Sequence, residues 1–144
     1  MTNQRVLLLS LRPRFANAIL DGTKTVELRR RPINALPGTR VILYSTAPVM
    51  AIVGTAYLRK VDVEAPQAAW KRCKRHLGLD KGEFDAYLDG STNAYLLHLE
   101  TISRLNEPLH LHQLRQSGGF HPPQSFRYIA ESDPRPLREL IPAS

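Results

Sequence analysis

The chain has 144 residues, of which 42% are hydrophobic and 23% charged, and its formal net charge is +7. This is ordinary globular composition, which excludes a disordered or collagen-like chain, and a chain of this length buries roughly 70% of its unfolded surface without staples. A single cysteine, Cys73, excludes an internal disulfide and a cysteine-rich metal site, and no apolar run approaches the roughly 18 residues of a membrane span. One domain over residues 1–144 in a reduced, cytoplasmic setting is expected.

Arg5–Ser10 (RVLLLS) reads as a buried strand. Pro13 suits the first position of a helix, Phe15, Ala16, Ile19 and Leu20 fall at helical spacing, and Gly22 supplies the stop, so a short helix is expected over residues 13–21. Lys24–Arg30 alternates as a strand, Pro37-Gly38 is a turn, and Arg40–Ser45 (RVILYS) is a core strand. Val49–Val63 is one long strand or two, broken or bulged near Gly54. Pro66–Leu77 reads as a helix with Lys71, Arg72, Lys74 and Arg75 outward, and Asp80 caps a second helix over Lys81–Leu88. A strand over Asn93–Ile102, a helical turn at Leu111–Gln116, a last strand at Ser125–Ala130 and a turn of helix at Pro136–Leu140 complete the order. Helices gather in an insert and do not alternate with strands. The expected class is therefore α+β: a small mixed or antiparallel β-barrel with short helices covering its ends.

The charge is unevenly spread: residues 1–40 carry +6, residues 59–76 carry +4, and residues 77–107 carry −4. A lopsided basic field favours polyanions. Within the first block, strand alternation over GTKTVELRRR turns Val26 and Leu28 to the core and places Thr25, Glu27 and Arg29 together on the other face, with Lys24 at the strand entry, free to swing into a pocket mouth. A glutamate accepts from an exocyclic amine and arginines donate to carbonyl or phosphate oxygens, so this pair can read a base edge; a solvated edge strand is the plainer alternative. Near the C-terminus, Pro122 and Pro123 stiffen a loop that leads to Ser125 and Arg127, where an arginine can hold a phosphate.

Other constellations carry less. His110, His112 and His121 lack companion cysteines or carboxylates at ligand spacing, so no metal is expected. Cys73 and His76 sit one turn apart, but a lone cysteine on an apolar helix face belongs to the core. Neither a phosphate loop, a dinucleotide fingerprint nor a nucleophile elbow occurs, and no cofactor is expected.

Three stretches, LLSLRPRFANAILDGTKTVELRRR, VILYSTAPVMAIVG and PPQSFRY, resemble the ASCH domain family of the PUA-like superfamily over residues 5–130. They are most similar to a subgroup described as predicted transcriptional regulators. The resemblance implies a small barrel with helices at its ends and a cleft that takes a nucleotide or RNA. Some members of the family look like amidohydrolases of N4-acylated cytidine that use a lysine and a threonine three residues on; Lys24 matches the lysine, and Glu27 stands where the threonine would. Other members are proposed to cut RNA.

Two readings of one cleft follow. In the first, a binding module for RNA, a modified nucleoside or nucleotide, or DNA is lined by Arg12, Lys24, Thr25, Glu27, Arg29, Arg30, Tyr44, Ser45, Ser125 and Arg127, with Tyr44 and Ser45 ending the strand beside Lys24–Arg30 and Tyr44 stacking on a base. In the second, a hydrolase of acylated nucleosides or RNA uses Lys24 and Glu27 as its acid–base pair. No membrane partner is expected.

Overall fold

A computed structural model describes residues 5–140. The first strand, β1 (Val6–Leu11), is buried along its whole length. It lies inside the sheet, parallel to β3 (Arg40–Ser45) on one side and antiparallel to β6 (Phe126–Tyr128) on the other. Its alternation feeds two cores. Leu7, Leu9 and Leu11 join one cluster with Val41, Leu43 and Ile19, while Val6 and Leu8 join a second with Ile42, Tyr44, Leu114 and Leu137. A continuous apolar run is what a strand covered on both faces requires.

Between β1 and β3 come α1 (Pro13–Asp21) and β2 (Val26–Arg29). Pro13 opens α1, and Gly22, at φ +85°, closes it with its N–H on the carbonyls of Ala18 and Ile19. After β3 the chain continues through β4 (Ala51–Glu64), α2 (Pro66–Cys73), α3 (Lys81–Tyr87) and β5 (Ala94–His110), then α4 (Leu111–Leu114) and a 3-10 turn at Arg115–Ser117 before β6, and ends in α5 (Arg135–Arg138). The sheet order is β2-β5-β4-β3-β1-β6, all antiparallel except β1–β3.

The result is the mixed α+β class expected: a curled six-stranded sheet, a half-barrel, with short helices. The stretch expected over residues 49–63 as one long strand or two is a single bulged strand that starts at Ala51, with a register shift against β5 between Ile52 and Gly54. The strand expected to end at Ile102 runs on to His110, because its second half pairs antiparallel with the first half of β4, from Ala51 opposite His110 to Thr55 opposite Ser103. The helix expected to reach Leu77 stops at Cys73. The insert buries Ala69 and Cys73 of α2, Phe84 of α3, and Leu77 and Leu88 that follow these helices against Val26, Leu28 and Leu96, a third cluster that covers the outer face of β2.

Candidate functional site: a cleft between the sheet edges

β2 and β6 are the two edges of the sheet, and its curl brings them together. They do not pair by main chain. Arg29 of β2 reaches across instead: its Nη1 donates to Ser125 Oγ at 2.8 Å and its Nη2 to the Ser10 carbonyl of β1 at 2.8 Å. Beside this bridge lies a cleft of about 740 Å³, lined among others by Ser10, Arg12, Phe15, Lys24, Glu27, Arg29, Arg30, Arg31, Thr46, Tyr87 and Ser125.

The floor is a chain of charge. Glu27 faces away from the Val26 and Leu28 side of β2; its Oε2 takes Arg29 Nη2 at 2.7 Å and its Oε1 takes Lys24 Nζ at 3.1 Å. The three side chains are 9%, 11% and 1% exposed in the order Glu27, Arg29, Lys24. Lys24 also donates to the carbonyls of Val26, at 2.9 Å, and Leu77. Its three ammonium protons therefore have three acceptors. Burial pushes its pKa below the ordinary lysine value, and Glu27 works against that shift. Lys24 is thus no mobile group at a pocket mouth. The strand begins at Val26, and the backbone before it is shaped by the N–H groups of Thr25 and Val26, both bonded to the His76 carbonyl of the insert. This turns Lys24 under the strand toward Glu27.

The rim is basic. Arg12, Arg30 and Arg31 are exposed, and Arg30 donates to the Asp89 carbonyl at 3.3 Å. Arg14 of α1 pairs with Glu83 of α3, clasping the insert to the cleft wall. That pairing, with the Asp80 N–H bonding the same carboxylate in the cap of α3, holds Glu83 down at about 2.

Of the ten side chains expected around the cleft, Arg12, Lys24, Glu27, Arg29, Arg30 and Ser125 line it, and four do not. Thr25 points to solvent on the outside. Tyr44, 3% exposed, packs in the second core, and Ser45 is buried too. The expectation that their strand adjoins β2 is corrected: β2 pairs with β5, and β3 lies three places away in the sheet. Arg127 is held by both oxygens of Asp133, at 2.8 and 2.9 Å, and so locks its own loop. On the insert, Arg72 pairs with Glu64, and the basic positions 71, 72, 74 and 75 lie outside the cleft lining. Cys73 is core, its thiol pushed up by burial. No group of three or more His, Cys, Asp or Glu side chains able to hold a metal occurs among the described residues, and no helix there is long and apolar enough to cross a membrane.

Some lining residues escape sequence reasoning. Ser10 carries a signal, being the one polar residue in VLLLSL; its hydroxyl donates to the Pro123 carbonyl at 2.7 Å. Tyr87 and Glu83 carry none, because only the packing of the insert brings them to the cleft.

The ASCH domain model matches residues 9–105. An ASCH domain-containing ribonuclease from Zymomonas mobilis is 33% identical over 140 residues, covering 96% of this chain and 93% of that protein. The crystal structure of ASCH from Zymomonas mobilis superposes with a TM-score of 0.86 at 31% identity, covering 96% of each chain. Large ribosomal subunit protein uL22 of Ureaplasma parvum is 26% identical over 125 residues, which make up 39% of that protein. With two thirds of its length matched by the family model and a relative of this identity along nearly all of it, the chain belongs to the ASCH domain family.

Proposed function

We propose that this chain takes single-stranded RNA into the cleft between its sheet edges and cleaves the phosphodiester backbone there. The observation that carries the reading is the cleft itself: about 740 Å³, rimmed by Arg12, Arg30 and Arg31, with the Arg29 guanidinium fixed against the exposed hydroxyl of Ser125. That volume suits a ligand of nucleotide size and admits an unpaired base in preference to a duplex. The similarity to a protein described as a ribonuclease supports the same reading.

RNA carries its own nucleophile: the 2′-oxygen attacks the phosphorus and gives its proton to water, the bond to the 5′-oxygen breaks, and that oxygen takes a proton from water to leave a 2′,3′-cyclic phosphate and a 5′-hydroxyl, so the protein's task is to orient the phosphate and stabilise the charge that develops on it. Ser125 Oγ accepts from Arg29 and keeps its proton to donate to a phosphate oxygen. Lys24 and Glu27 have their donors and acceptors committed to each other, to Arg29 and to the backbone. They are positioning residues that aim Arg29. The same commitment weighs against the acylcytidine amidohydrolase reading, in which Lys24 moves protons and a hydroxyl stands at position 27.

The test is a labelled single-stranded RNA titrated over a salt series, with the samples run on a denaturing gel, for wild type, Arg30→Ala/Arg31→Ala and Ser125→Ala. Three rim arginines on phosphates give a slope of log affinity on log salt of about −2, and the double variant loses about two thirds of it. Ser125→Ala binds with little change and cuts at least about tenfold more slowly. Salt-sensitive binding with intact RNA in wild type removes cleavage and leaves a binding module. Salt-insensitive, weak binding sinks the reading altogether.

A further inference from the structure

The loop after β3 serves two cavities. Thr46 lines the cleft, whereas Val49 and Met50 line a second, more open groove of about 470 Å³ whose other wall includes His110, His112 and Arg115. We propose that this groove is a second nucleotide subsite, which receives the next stretch of the single strand held in the cleft; the inference rests on the RNA reading above.

Three observations converge on a nucleotide. First, the titratable side chains lining the groove are two imidazoles and a guanidinium, with no carboxylate among its lining residues. Arg115 Nε is tied to the Phe120 carbonyl at 3.0 Å, which fixes the plane of the guanidinium and leaves its terminal amino groups as phosphate donors. Second, the rings of His110 and His112 lie nearly parallel, 5.7 Å between centroids and 18° between planes, and offer a flat π surface. Third, Val49 and Met50 are 38% and 41% exposed, apolar side chains held in solvent beside those rings. Met50 sits at φ +52°, a left-handed conformation that side-chain-bearing residues avoid, and the Leu111 N–H on its carbonyl at 2.9 Å holds it there. An unusual backbone that keeps a thioether and a valine at the surface, opposite stacked imidazoles and a fixed guanidinium, matches the two demands of a nucleotide: a π face for the base and a cation for the phosphate. Continuity through Thr46–Met50 links this site to the cleft by a few residues of one loop.

The experiment is fluorescence anisotropy with 5′-labelled uridine trinucleotide and nonanucleotide, both 2′-O-methylated so that they lack the nucleophile for cleavage, for wild type, His110→Ala/His112→Ala and Met50→Glu, with thermal unfolding of each protein as a control. The trinucleotide reports on the cleft and the nonanucleotide on both sites. Both variants are expected to bind the trinucleotide as wild type does and the nonanucleotide about tenfold more weakly, the size expected for losing one stacked base with its phosphate contact. A nonanucleotide carrying a terminal 4-thiouridine should photocrosslink to the peptides that contain Met50 or His110–Arg115. Variants that hold the nonanucleotide as tightly as wild type, equal losses on both oligomers, or crosslinks confined to the cleft each overturn the groove while the trinucleotide result stands. A wild-type protein that binds neither oligomer removes the RNA reading and this subsite with it.

Discussion

Replacing Lys24 separates a structural lysine from a catalytic one. Methionine keeps an unbranched stem in the same hole, beside the Phe15 ring and against the backbone of Gly78, where an added Cβ would lie 3.2 Å from the lysine's Cβ and Cδ. What it removes is the ammonium with its three acceptors. The carbonyls of Val26 and Leu77 lose a charged donor inside the protein, about 1–3 kcal/mol each. Glu27 keeps Arg29 but loses the second of its two cations, and breaking a buried pair costs about 3–5 kcal/mol. These contributions overlap, since the lysine's own desolvation cost also disappears, so about 4 kcal/mol is the expected net loss.

Domains of this size are stable by about 5–15 kcal/mol and lose about 2–4 °C of Tm per kcal/mol. Lys24→Met should therefore unfold about 8–16 °C below wild type. Circular dichroism against temperature reads this directly, and RNA cleavage measured well below both transitions should fall by less than about tenfold. The double variant Lys24→Met/Glu27→Gln removes both charges together, and its Tm loss should be smaller than the sum of the two single losses, by about 0.5–3 kcal/mol in coupling energy. A variant that melts within about 2 °C of wild type yet no longer cuts RNA would refute the structural assignment and return Lys24 to the chemistry.

The Arg14–Glu83 clasp has an acid signature: a carboxyl held at about 2, against an ordinary value of 4.5, contributes stability present above the ordinary value and lost as pH falls from there toward 2. Glu83→Gln should flatten that limb of a Tm-versus-pH curve, and an unchanged limb would place the acid sensitivity elsewhere. Arg127→Ala strips the guanidinium from both oxygens of Asp133, a side chain in a residue only 8% exposed, while the Ala130 N–H stays on Oδ2; thermal unfolding should show a loss of about 2 kcal/mol. The same variant should bind RNA in the cleft within about twofold of wild type, because its guanidinium serves the loop and lies outside the cleft lining.

Much of this is legible in the residues. The unbroken apolar runs of β1 and β3 announce strands buried on both faces, and Pro13 and Gly22 delimit α1. Alternation over VELR places Val26 and Leu28 opposite Glu27 and Arg29, and the pair at 2.7 Å has the geometry that spacing implies. The failures share a cause, since each turns on a contact that strand alternation does not encode. Alternation runs back through Lys24, whereas the acceptor that helps to hold it, the Leu77 carbonyl, is 53 residues away. Tyr44 has the right chemistry to stack on a base, but its parity sends it into the core with Leu8 and Ile42, and nothing local says that β5, not β3, sits beside β2. Only the partner six residues on, Asp133, decides that Arg127 serves its loop.

The cleft exists because the sheet closes by side chain and not by main chain. β2 has four residues and β6 three, too little edge for a ladder that would seal the barrel and fill the space. Arg29 spans the gap with a planar fork: one amino group meets Ser125, the other is shared between Glu27 and the Ser10 carbonyl. Lysine has the charge but no fork, and a single ammonium cannot hold both edges in one geometry. Arg29→Lys should therefore keep the electrostatic company of Glu27 and most of the stability, yet release Ser125. Its expected mark is the reverse of Lys24→Met: a Tm within about 3–6 °C of wild type and, on the proposed activity, a cleavage rate lower by about a hundredfold, from the loss of one fixed donor where the phosphate is proposed to sit. If the two substitutions instead moved Tm and rate in parallel, the insert, the seam and the cleft would be one cooperative unit, and the division between residues that hold the fold and residues that aim the hydroxyl would fall.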